Sequence, residues 1–103
     1  MYIMGAEFVI DVVASEYGLN TSLIKSKNRT AEVAEARQVV MLILHDCLGY
    51  STNKIAQVLS RSHPTVIHGI RRIKGLASVD KATQRHIGAI KTEIETLTIA
   101  KIS

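Results

Sequence analysis

Between Asp46 and Asp80 the sequence holds Lys54, Arg61, Arg71, Arg72 and Lys74 and not one acidic residue. A helical surface that only has to stay solvated mixes both signs, so a run of one sign points to a polyanion whose phosphates the cations neutralise. Ahead of the Arg71–Arg72 pair stand Arg61, Ser62, His63, Pro64, Thr65 and His68. Arginine can bond a guanine edge through two N–H groups, histidine can donate or accept, and a threonine methyl can touch a thymine methyl. Each alone is as readily a capping or surface group, and Ser62 is well placed to cap a helix. As a set at the start of one helix, they are able to read base edges in a major groove.

Other chemistries have less support. His63 and His68 are five positions apart, not the four that put two zinc ligands on one helical face. His45 and His86 are read as standing away from any carboxylate or thiol cluster, so no metal site is expected. Cys47 is the only cysteine, which excludes an internal disulfide and leaves it as a small core residue. No nucleophile–base pair or carboxylate pair stands out and no GxxxxGK[ST] loop is present, so neither catalysis, nucleotide nor cofactor is expected. Aromatic residues make up 4% of the chain, too few for the stacking platform of a single-strand or RNA binder.

The elements that position the basic set are two short helices, expected at residues 52–59 and 63–76 and joined by a turn at 60–62. Ser51 reads as the first cap, and Pro64 marks a helix start because only the first turn tolerates its missing N–H. Ala56 supplies the small residue a steep crossing needs, and Ile55, Leu59, Val66, Ile70 and Ile73 fall where core anchors belong. This is a helix-turn-helix pattern, although Ser60 occupies the turn where glycine is frequent. A plain αα-hairpin fits the apolar pattern as well, and the acid-free stretch is what favours DNA.

The remainder reads as helix throughout. A first helix spans 7–17, with Phe8, Val9, Val12 and Val13 on one face and Gly18 as its stop. Thr21 caps a short helix through Ile24, and a long helix at 31–48 is apolar on most faces, as a central helix is. A last helix at 79–97 carries Ile87, Ile90, Ile94 and Leu97 at helical spacing, before a frayed tail at 98–103. That stripe is expected to be core; left exposed, it would instead dock a partner or a second copy. With 103 residues, 47% of them hydrophobic, 21% charged and a net charge of +4, the chain suits one folded domain over 1–103. The expectation is an all-α, Trp-repressor-like bundle of about five to six helices containing the helix-turn-helix. The apolar run at 39–44 is too short for a bilayer, and Glu7 and Asp11 interrupt any signal peptide, so a cytoplasmic setting is expected.

Two segments carry a family resemblance: SEYGLNTSLIKSKNRTAEVAEARQVVMLIL and YSTNKIAQVLSRSHPTVIHGIRRI. The first is a basic loop running into a long helix with an Ala-Arg-Gln. The second matches a Gly-Arg-Asp-His-Thr-Thr-Val core at His63, Thr65 and Val66, with Arg61 for the arginine, His68 beyond, and Arg71 and Arg72 as its basic pair. Over residues 8–76 the chain resembles the carboxy-terminal DNA-binding domain of the bacterial replication initiator DnaA. The resemblance implies sequence-specific binding of double-stranded DNA, tied to origin recognition or to control of replication initiation. It implies that Arg29 enters the minor groove with Lys25 and Lys27 against the backbone nearby, while His63 and Thr65 meet base edges in the major groove. Further backbone contacts are expected from Arg37, Ser51, Lys54, Arg71, Arg72 and Lys74. A bacterial, phage or mobile-element protein of the nucleoid, without membrane or nucleotide partners, is the setting implied.

The departures from that pattern bear on the target. The turn is one residue shorter, Ser62 replaces an aspartate, and Pro64 replaces the first threonine, so a base acceptor and a hydroxyl are gone. A different site is therefore expected, including that of a transcriptional regulator. Glu32 and Glu35 stand where the family is more basic and are expected to weaken backbone affinity. With no room for an ATPase module, the chain is expected to be a stand-alone relative rather than an excised domain.

Overall fold

The computed structural model describes the backbone of residues 5–102 and the side chains of residues 5–99. Six helices follow one another, and no strand occurs among the described residues: α1 (Ala6–Tyr17), α2 (Thr21–Lys25), α3 (Ala31–Asp46), α4 (Thr52–Leu59), α5 (His63–Val79) and α6 (Lys81–Ile102). They share one core, so the expected all-α bundle containing a helix-turn-helix is what the chain forms. No helix among the described residues is long and apolar enough to cross a membrane.

Local chemistry explains most boundaries. Gly18 takes the left-handed turn at φ 65° that ends α1, at no cost to a residue without Cβ. Asn20, not Thr21, caps α2: its side chain accepts from the Ser22 N–H at 3.0 Å, and Thr21 is the first helical residue. The long helix α3 stops at Asp46, short of Leu48, and the chain turns through Gly49 at φ 74°. Ser51 caps α4 by accepting from the Lys54 N–H at 3.1 Å. The turn into α5 runs through Ser60 at φ 53°, the single non-glycine residue with positive φ among the described residues. Ser62 then caps α5 through the Thr65 N–H at 3.3 Å, with Pro64 in the first turn.

Past the turn the helices outrun their expected ends. α5 continues to Val79, and Asp80 starts α6 by accepting from the Thr83 N–H and hydroxyl at 3.0 and 2.5 Å. α6 extends beyond Leu97 to Ile102, across much of the segment expected to fray.

The central role of α3 follows from its all-round apolarity. Val33, Ala36, Val39, Val40, Met41, Leu42, Ile43 and Leu44 are all buried, and α1, α2, α4 and α5 pack around them. Gly69 lets α5 come close, since a Cβ there would lie 2.5 Å from the Met41 sulfur. The α6 stripe of Ile87, Ile90 and Ile94 is core, buried chiefly against α1 and α5.

Candidate nucleic-acid interface

The basic segment after α2 is held rigidly for a loop. Ser26 Oγ donates to the Leu23 carbonyl at 2.7 Å and accepts from the Asn28 N–H at 3.1 Å. Asn28 Oδ1 in turn accepts from the Thr30 N–H at 2.9 Å, a local turn that asparagine favours. Lys27 and Arg29 emerge from this frame exposed, with no hydrogen bond or ion pair to other described residues.

Arg37 requires a correction. Expected at the DNA backbone, it is only 7% exposed and its guanidinium is directed inward. Nε donates to the Ile24 carbonyl at 2.8 Å, and Nη2 donates to the carbonyls of Leu23, Ser26 and Asn28 at 3.2, 2.8 and 3.1 Å. A buried cation needs such acceptors, and these satisfy it without phosphate. Burial, and then the neighbouring Arg61 charge, lowers its pKa from the usual arginine range.

Arg61 is likewise engaged. It is half-buried and donates to the carbonyls of Leu59 at 3.1 Å, Ser60 at 3.4 Å and Ser26. Over residues 63–72 of α5 the exposed residues are His63, Pro64, Thr65, Ile67, His68, Arg71 and Arg72. The His63 Nε2 lies 2.5 Å from Thr52 Oγ1, which orients the ring from α4. Thr65 and Ser62 hydroxyls are 2.7 Å apart, so both short side chains serve the cap. Arg71 and Arg72 pair with no described residue.

Three further cations of the expected set are partnered. Lys25 pairs with Glu7, Lys54 sits 4.3 Å over the Tyr50 ring, and Lys74 lies 3.7 Å from Asp46. All three are exposed, where such contacts are weak, so they remain able to meet a phosphate at small cost.

An open cleft of about 300 Å³ joins the two parts. Ala34, Arg37, Gln38 and Met41 of α3 form one wall; Arg61, Thr65, His68, Gly69 and Arg72 form the other, and no carboxylate lines it. Gln38 is the wall residue the expected set omits; its signal was a polar side chain beside Arg37, just before the apolar run at 39–44. Thr52, the partner of His63, gave no signal at all, because the contact spans eleven positions.

Glu32 and Glu35 face elsewhere. They line a second cleft with Glu16, Tyr17, Asp80 and His86, and Glu35 accepts from the Tyr17 hydroxyl at 2.6 Å. His86 is thus not remote from carboxylates, since its Nδ1 lies 2.9 Å from Glu16, and His45 Nδ1 lies 3.0 Å from Asp46. The sequence hid the first contact because the partners are seventy positions apart. No group of three or more metal-ligating side chains forms among the described residues. Cys47 is half-buried at the end of α3, and burial pushes its thiol pKa up.

Comparison with known proteins follows the same lines. Residues 6–73 match the family described as bacterial dnaA protein helix-turn-helix. The chromosomal replication initiator protein DnaA of Bacteroides thetaiotaomicron is 33% identical over 85 residues, covering 82% of this chain and 18% of that protein. That of Pseudothermotoga lettingae is 36% identical over 72 residues, covering 70% of this chain and 16% of the relative. A crystal structure of a DNA replication initiation factor superposes with a TM-score of 0.79 at 23% identity, covering 90% of this chain and 29% of that one. The chain thus spans about a fifth of the length of the curated relatives it matches. On the match over residues 6–73, this chain belongs to the bacterial DnaA helix-turn-helix family.

Proposed function

We propose that this chain binds double-stranded DNA in a sequence-specific manner and acts in origin recognition or in the regulation of replication initiation. The observation that carries the reading is a cleft between α3 and the start of α5 that holds Arg37, Arg61, His68 and Arg72 and no carboxylate, with Lys27, Arg29 and Arg71 on the adjoining loop and helix exposed and unpaired among the described residues. Arg29 enters the minor groove from the loop, while α5 presents His63, Pro64, Thr65 and His68 to the major groove, as this motif does. Arg71 and Arg72 take phosphates, with Lys25, Lys54 and Lys74 released from weak surface contacts to add to them. Ser51 and Ser62 serve the interface through the helix N-termini they cap. The role proposed is binding rather than catalysis.

Ser62 and Pro64 favour a target different from that of initiators bearing aspartate and threonine there. A regulatory site outside an origin is the second reading this supports. Fluorescence anisotropy with a labelled random duplex, across a salt series, tests the DNA reading. Phosphate contacts from Arg71, Arg72, Lys25, Lys54 and Lys74, with Lys27 on the loop, predict a log–log slope of about −4 to −6. A slope near zero overturns it. Selection from a random duplex pool then distinguishes an initiator-like motif from an unrelated one.

A further inference from the structure

The loop that carries Arg29 and the turn that leads into α5 are thirty-five positions apart, yet two arginines join them at a single atom. The Ser26 carbonyl oxygen accepts from Arg37 Nη2 at 2.8 Å and also from Arg61 Nη2. Arg37 reaches the loop from the centre of the core, and Arg61 reaches it from the turn of the helix-turn-helix. Among the described residues, Arg61 makes the only hydrogen bond between that loop and that turn. Two guanidiniums this close repel, and the converging carbonyls of residues 23–28 offset the repulsion. A loop ordered in this way before binding loses less backbone freedom when DNA arrives.

From this convergence we infer that Arg37 and Arg61 are positioning residues that fix the distance between the minor-groove arm at Arg29 and the reading helix α5, so that two base sequences are recognised at one set spacing. The inference rests on the DNA reading above. It moves Arg61 from the base-reading set to a role exerted through the Ser26 carbonyl. Spacing discrimination is then a property of the folded protein and not of the contacts themselves.

The test uses the full chain with Arg61→Ala and Arg37→Lys, each first shown by circular dichroism to melt cooperatively. Arg61 is half-buried at the surface, so its loss leaves the core intact even if Arg37→Lys does not fold. In the free protein, the hydrogen-bonded amides of Asn28 and Thr30 are expected to exchange about tenfold faster in the variants. Amides of α1 and α6 are expected to be unchanged. The second measurement compares the best selected duplex with one carrying a base pair inserted between its two read sequences. The wild type is expected to lose about tenfold or more in affinity on insertion. The variants bind the parent duplex less tightly, and their insertion penalty falls to within about threefold. Unchanged loop exchange in Arg61→Ala overturns the inference. So does a variant that keeps the full insertion penalty and discriminates less at one guanine, because Arg61 would then be a base reader. A wild-type chain that binds no duplex at low salt overturns the DNA reading and the spacing role with it; faster loop exchange in the variants would in that case establish the clamp alone.

Discussion

Arg29, in the loop before α3, and Arg37, in the second turn of that helix, have opposite surroundings. One is exposed with no partner among the described residues; the other is buried under four carbonyls. Nothing in their immediate sequence separates them, because both are arginines amid polar and small residues. The difference lies in periodicity: position 37 falls on the α3 face that meets α2, and the loop carbonyls above it had to be satisfied somehow. Replacing Arg29 or His63 with Ala is expected to weaken binding to a selected duplex by about tenfold to a hundredfold. Loss on random duplex is expected to be several-fold smaller for both, measured by competition anisotropy. Equal losses on the two duplexes would mean that these side chains touch backbone only.

At the scale of elements, the helix-turn-helix was largely legible and its turn was not. α4 lies at residues 52–59 as its caps and spacing require, since Ser51, Pro64 and the apolar anchors all act locally. Ser60 reads as a mere absence of glycine, and its left-handed backbone appears only in three dimensions. Forcing a residue with a Cβ into that region costs on the order of 1 kcal/mol. Ser60→Gly is therefore expected to raise the thermal midpoint by a few degrees, with part of the gain offset by the greater freedom of glycine in the unfolded chain. A lowered midpoint would show that the serine makes a compensating contact. The α5–α6 junction depends on Asp80, whose carboxyl is held below the usual aspartate range by the Thr83 hydroxyl and then by the Thr83 N–H. A depressed pKa means the folded state favours the charged form, so the stabilisation is present above about pH 4 and is lost as pH falls through the folded value. Asp80→Asn keeps a capping oxygen without the titration. The wild type is expected to melt above this variant at neutral pH and level with it in acid; a gap that persists at pH 2 would remove Asp80 from the acid response.

The whole molecule segregates its charge in a way no single segment reveals. The net charge of +4 says only that cations exceed anions. Folding gathers Arg37, Arg61 and Arg72 around one cleft and Glu16, Glu32, Glu35 and Asp80 around another, so the loop and α5 are left with a field of one sign. The family match ends at residue 73, seven residues before the junction with α6. Yet α6 places Ile90 and Ile94, each 1% exposed, in the same core as α1 and α3. If α6 is part of one cooperative unit, damage to it must be felt in α3, which it barely touches. Ile90→Ala is expected to cost about 2–5 kcal/mol, in a single transition by circular dichroism. The slowest-exchanging amides of α3 should lose protection by the same free energy, because they open only when the whole unit does. Were α6 an independent arm for docking a partner, those α3 amides would keep their wild-type protection while α6 alone exchanged faster.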